Sequence, residues 1–194
     1  QLANEHQFPM ENRVFQLLRQ QVTQHRDKLY TFQKQAVDFI HGNNGTCLIA
    51  DDMGLGKTIE ALTYAKEIDA KRVLVVCPAS VLYKWQDEIA RWNEWDSQIV
   101  LTGKTPLEDS RVWIMSYAIM LRRVYELSDI EFDLIIVDEC HRISNPKAKQ
   151  SLALDQLIAK RKLFLSGTPF LNRPIELWHV LNLIDPFSYK SYWA

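Results

Sequence analysis

Three short stretches of this 194-residue chain carry residue types and spacings suited to phosphate chemistry. The first is Asp51-Asp52-Met53-Gly54-Leu55-Gly56-Lys57-Thr58, between the apolar run 46–50 and the amphipathic stretch 58–68. A glycine-bearing loop from strand to helix is the setting for a phosphate-binding loop. Gly54 and Gly56 let backbone N–H groups approach phosphate oxygens, and the helix N-terminus adds partial positive charge. Lys57 can reach β- and γ-phosphates, and the Thr58 hydroxyl is placed to ligate Mg²⁺. The general pattern has glycine where Asp51 stands, so the match is incomplete, and a plain turn with a surface lysine is the alternative.

The second stretch is Asp138-Glu139-Cys140-His141, at the end of the apolar run 133–137. In a parallel sheet, ligands bind outside the carboxyl ends of strands, which would bring both acids to the phosphate loop. Asp138 would then hold Mg²⁺, and Glu139 would orient and activate the attacking water. Alone, the two acids could equally be a solvated turn. The third stretch, Ser166-Gly167-Thr168-Pro169, again ends an apolar run and could report phosphate to neighbouring loops, although it is also a common turn sequence.

The elements that must position these residues are legible in the hydrophobic pattern. Uniformly apolar runs at 46–50, 72–77, 111–115, 133–138 and 162–166, with a weaker one at 98–101, suit strands buried on both faces. Amphipathic stretches at 58–68, 80–94, 117–127 and 148–159 are long enough for crossover helices. A further helix over Phe32 to Ile40 stops at Gly42-Asn43-Asn44-Gly45. The alternation predicts an α/β, doubly wound, mostly parallel P-loop sheet over 28–194. Val14, Leu17, Leu18 and Val22 place a helical extension over 1–27.

Composition narrows the classes. With 47% hydrophobic and 24% charged residues the chain can bury one sizeable core, and disorder is excluded. Cys47, Cys77 and Cys140 are unpaired in spacing and sit in or beside apolar runs, which predicts buried thiols rather than disulfides or a zinc site. His6, His25, His41 and His179 form no metal spacing. The longest apolar runs, five or six residues, fall far short of a membrane helix of about 20. The 23 basic against 24 acidic residues give no global attraction to nucleic acid, although 142–173 alone carries seven bases and one acid.

Taken together the motifs resemble the first RecA-like lobe of superfamily-two helicases, specifically the Swi/Snf-type ATPases that translocate on double-stranded DNA. An acid in place of the first glycine is that family's form of the loop. The segment 29–40 matches the upstream motif through Gln33, 76–89 matches the next through Pro78, Ser80 and Trp85, and 114–117 looks like the one after. Cys140 departs from the more frequent Ala or Gly, small for small, while 165–186 matches the third motif and its continuation through Asn172 and Glu176-Leu177. The 80 residues from Thr58 to Asp138 and the ending of the third motif look most like the annealing-helicase branch, with viral and prokaryotic relatives similarly compact.

The resemblance implies ATP and Mg²⁺ held across Gln33, the loop Asp52-Met53-Gly54-Leu55-Gly56-Lys57-Thr58 and Asp138-Glu139. Lys57, Asp138 and Glu139 would be catalytic, Thr58 and Asp138 the metal residues, and His141, Ser166 and Thr168 the couplers to the third motif. It implies non-sequence-specific contact with duplex DNA through Ser80, Lys84, Ser116, Tyr117, Lys147 and Lys149. Trp85 and Trp92 share a helical face with Ile89, which favours packing over base stacking. A second RecA-like lobe would be the partner, with hydrolysis slow without it. An intracellular location without membrane, nuclear if eukaryotic and cytoplasmic if prokaryotic or viral, follows from the same likeness. The alternatives are a lobe of an RNA helicase or restriction-enzyme motor, or a nucleotide-dependent interaction module.

Overall fold

The computed structural model describes residues 25–169 and 173–190. Six strands form one parallel sheet: β1 (Cys47–Ile49), β2 (Val73–Cys77), β3 (Ser97–Val100), β4 (Val112–Ser116), β6 (Leu134–Asp138) and β8 (Lys162–Leu165), in the order β1-β8-β6-β2-β4-β3. Every pairing is parallel, which explains the absence of polar alternation: β2 and β4 are buried at all five positions. A small parallel ladder, β5 (Glu131–Phe132) with β7 (Ile158–Ala159), lies just ahead of β6 and β8 in sequence. At two residues a strand, it carries no sequence pattern.

Helices cover both faces. Alternate residues of the central strands divide between two cores. Val73, Val75 and Cys77 face one with Leu62, Tyr64, Trp85 and Ile89, and Leu74 and Val76 face the other with Met120, Leu127 and Leu154. On the first side lie α1 (Thr31–Gly42), α2 (Lys57–Glu67) and α3 (Leu82–Glu88). On the second lie α4 (Tyr117–Arg122), α5 (Val124–Ser128), α6 (Lys149–Asp155) and α7 (Trp178–Ile184). Among the described residues no helix is long and apolar enough to cross a membrane.

Three expected helices are shorter than their amphipathic stretches. The stretch 80–94 is a 3₁₀ turn (Ala79–Val81), α3, and a π-helical turn (Ile89–Asn93) that ends at Glu94 with φ 57°. The wider turn aims polar groups inward: the Trp92 indole N–H donates to Thr63 Oγ1 at 3.0 Å and Asn93 Nδ2 to the Leu62 carbonyl at 3.0 Å. The stretch 117–127 breaks at Arg123, whose buried guanidinium clamps Glu126 and the Thr105 carbonyl. The last helix, expected over 148–159, stops at Asp155 because 158–159 turn to pair with β5.

All three cysteines are free and buried, and burial pushes each thiol up to about 12. The expected extension lies outside the described residues up to 24. Its last turn, 25–27, is helical and fixed to the sheet domain: Arg26 pairs with Glu67 and Asp38, and the His25 ring meets Trp92 edge-on at 4.6 Å.

Candidate active site

The pairing register places the three motifs on one line. Ile49 pairs with Leu165, and Leu165 with Asp138, across the neighbouring strands β1, β8 and β6. The phosphate loop, Ser166 and Glu139 therefore leave the sheet side by side, one residue or so beyond that row. Val76 pairs with Val137 and Cys77 with Ser116, so Pro78 and Tyr117 leave the same edge next to them.

At the phosphate loop, Gly54 and Gly56 have φ of 84° and 95°, values an L side chain rarely adopts, and Gly56 is the N-cap of α2. A Cβ on Gly56 would also collide with Gln33 Nε2. Gln33 is buried, with its amide donating to the Leu55 carbonyl at 2.9 Å and its Oε1 accepting from Tyr30 N–H at 3.0 Å. It thus braces the loop against α1, with one amide hydrogen and one lone pair left uncommitted by these two bonds. Lys57 Nζ donates to the carbonyls of Asp51 and Asp52 at 2.6 and 2.9 Å, oxygens that a bound phosphate would replace as acceptors.

Lys57, Thr58, Lys84, Trp85, Asp138 and Glu139 line one cleft of about 400 Å³. Burial pushes the Asp138 carboxyl above its ordinary range and the Glu139 charge adds to this, while the hydrogen bond from Trp85 pulls the other way. One hydroxyl and one carboxylate facing a shared cleft fit Mg²⁺, which keeps waters and substrate oxygens as its remaining ligands. Glu139 sits in the left-handed region at φ 52°, a strained conformation for a side-chain-bearing residue, and one that turns the chain sharply off the end of β6. Cys140 behind it is fully buried, which a small side chain permits.

The third motif reaches both others. His141 Nδ1 lies 3.3 Å from Ser166 Oγ and 3.3 Å from Glu139 Oε2, and Ser166 Oγ accepts from Thr168 N–H at 3.1 Å. Gly167 packs so closely on the phosphate loop that a Cβ would stand 2.7 Å from Met53 Cγ and 3.4 Å from Lys57 Nζ. Its hydrogen atom was the signal in the sequence for that approach. Asn172 lies outside the described residues.

The residues expected on duplex DNA divide. Ser80, Lys84, Lys147 and Lys149 are exposed at or beside this edge, and Lys84 also faces the cleft. Ser116 and Tyr117 are buried, which corrects their expected role: Ser116 Oγ accepts from Ile119 N–H, and the Tyr117 hydroxyl donates to the Asp138 carbonyl at 2.6 Å. Ser116 thus caps α4, and Tyr117 holds the acid turn from behind. The basic segment divides as well. Lys160, Arg161 and Lys162 stand where β8 begins, at the opposite edge, and Lys160 is bound to Asp133 at 2.8 Å. Trp85 is buried, as expected, but its indole N–H also donates to Asp138 Oδ2 at 2.9 Å, a contact the sequence did not signal; nor did it single out Glu60, a fully buried carboxylate with neither oxygen hydrogen-bonded.

Known proteins resemble this chain in sequence and fold. The family described as SNF2-related domain matches residues 32–194. The bovine SWI/SNF-related matrix-associated actin-dependent regulator of chromatin subfamily A-like protein 1 is 37% identical over 86% of this chain, and the human DNA annealing helicase and endonuclease ZRANB3 is 35% identical over 83%. The chain spans 18% and 16% of their lengths. The SWI2/SNF2 ATPase core of Sulfolobus solfataricus, solved with double-stranded DNA, superposes with a TM-score of 0.75 at 32% identity, covering 85% of this chain and 37% of that one.

Proposed function

The chain belongs to the SNF2-related domain family, and from that membership we propose that residues 28–194 are the ATP-binding lobe of a motor that translocates on double-stranded DNA. The observation that carries the reading is the single register line from which the phosphate loop, Asp138-Glu139 and Ser166 leave adjacent strands. ATP would lie over the helix N-terminus at Gly56, with Gln33 at the base, Lys57 on the terminal phosphates, and Thr58 and Asp138 at the metal. Bound Mg²⁺ would neutralise charge developing on the phosphate oxygens. Glu139 would orient the water for in-line attack and accept its proton. His141 and Ser166 would carry the state of the phosphate site to the third motif.

Positive charge on the transferring phosphoryl group, typically worth ~10³ to 10⁵ in rate, would come from a second RecA-like lobe. Ser80, Lys84, Lys147 and Lys149 would hold duplex backbone phosphates without reading sequence. The 194-residue chain should therefore bind nucleotide but hydrolyse it very slowly, with little stimulation by DNA. A fluorescent ATP analogue tests the roles of the residues. Lys57→Ala should weaken its binding, and Glu139→Gln should keep binding while abolishing hydrolysis in the two-lobed motor. Equal loss of binding in both variants would refute the assignment of Glu139. Stimulation of the motor by RNA in preference to duplex DNA would favour the RNA-helicase alternative.

A further inference from the structure

We propose that Trp85 is a positioning residue for Asp138, fixing the carboxylate that faces the metal through the indole N–H and so joining the helix behind the duplex-facing edge to the nucleotide site. Trp85 comes from α3 and Asp138 from the end of β6, 53 residues apart. The indole is 2% exposed, and its N–H donates to Asp138 Oδ2 at 2.9 Å. The other carboxylate oxygen, Oδ1, accepts the N–H of Glu139 at 3.0 Å. Each oxygen therefore has one fixed donor, which sets the rotation of the carboxylate plane and leaves one lone pair apiece toward the cleft. The backbone at the same point is held from the opposite face of the sheet by the Tyr117 hydroxyl.

The indole is packed among the core residues that include Ile89 and Cys77, so its ring cannot swing without moving α3. The residue before it in sequence, Lys84, is exposed and lines the same cleft. A displacement of the outer turn of α3 is thus passed to Asp138 through a single rigid ring. Groups that orient a metal ligand from behind typically change metal affinity by about 10- to 100-fold when removed.

The inference rests on the reading of the cleft as a nucleotide site, and the test separates the two. Trp85 in the 194-residue chain is replaced by β-(3-benzothienyl)alanine, which keeps the bicyclic shape and puts sulfur where the N–H was. Trp85→Phe is made as a second variant. Affinity for a fluorescent ADP is measured in EDTA and across a Mg²⁺ titration. The expected result is unchanged affinity in EDTA with the Mg²⁺ midpoint raised about 10-fold or more in the isosteric variant. A midpoint within twofold of the wild type, or an equal loss of affinity with and without Mg²⁺, overturns the positioning role. The Trp85 indole resonance, assigned by its loss in Trp85→Phe, should also move in Asp138→Asn with no nucleotide present. Absence of nucleotide binding by the wild type, with that resonance moving, refutes the nucleotide reading and leaves the hydrogen bond standing. An unmoved resonance refutes the hydrogen bond itself.

Discussion

Replacing Glu60 by glutamine should remove a pH dependence of stability, so that the variant gains on the wild type as pH rises from about 5 to about 8. Glu60 lies one turn into α2, fully buried, with neither carboxylate oxygen hydrogen-bonded. Burial raises its carboxyl from 4.5 to about 7; the charge of Asp51 adds to the rise and that of Lys57 opposes it. The folded state therefore keeps this proton at pH values where the unfolded chain has released it. Stability contributed by the protonated form is complete below about pH 4.5 and is lost as pH rises to about 7. At roughly 1.4 kcal/mol per pH unit the loss comes to about 3 kcal/mol, or about 6 to 12 °C in melting temperature for a chain of this size. Glutamine has no charge to bury, so its stability has no such slope. The amide carries its own desolvation cost at every pH, so the quantity to read is the change in the stability difference between the two proteins from about pH 5 to pH 8. Urea unfolding followed by circular dichroism at both pH values supplies it. Parallel pH profiles for wild type and Glu60→Gln would refute the claim that the folded chain holds an uncompensated carboxylate there.

The remaining predictions concern the contacts between motifs. Gly167→Ala would put a methyl 2.7 Å from Met53 Cγ and 3.2 Å from the Met53 nitrogen, so it should cost about 1 to 3 kcal/mol in thermal unfolding and weaken nucleotide binding with it; unchanged stability and binding would show that the loop can withdraw freely. Tyr117→Phe removes the donor to the half-buried Asp138 carbonyl and should cost about 1 kcal/mol or more in urea unfolding. A loss under about 0.5 kcal/mol would mean that the hydroxyl is not what holds the acid turn.

Five of the six sheet strands were legible because strands buried by the sheet's two layers of helices read as short apolar runs, and β3, an edge strand with alternate residues half-buried, gave only the weaker one. The three motifs were legible because each begins where such a run ends. The segment ahead of the phosphate loop was equally plain, since Phe32, Val37 and Ile40 keep one helical period up to Gly42. Helix ends were not legible where the period survives a change of winding: Trp85, Ile89 and Trp92 continue one face through an α-helix into a π-turn. Trp85 reads as packing because a buried ring at helical spacing usually is packing, and nothing local marks an N–H aimed 53 residues away. Tyr117 was misread for a different reason. Its expected place on DNA came from the resemblance alone, and only the fold shows that the Asp138 carbonyl has taken its hydroxyl. The local excess of bases misled as well, because a linear count joins residues at the start of β8 to others that lie beyond the ends of strands.

The pairing of β1 with β8 also governs how this domain comes into being. Cys47 pairs with Leu163, so the strand that carries the phosphate loop has no neighbour in the sheet until more than a hundred further residues have been made. At about 5 to 20 residues per second, that is a wait on the order of ten seconds on the ribosome. During it β2, β4 and β6 can pair among themselves, while the Gly-rich loop and α2 hang on an unpaired strand. The last piece of the sheet to be synthesised is the one that seats the first functional motif, and a chain stopped before Leu165 would keep its lysine but have no place to hold it.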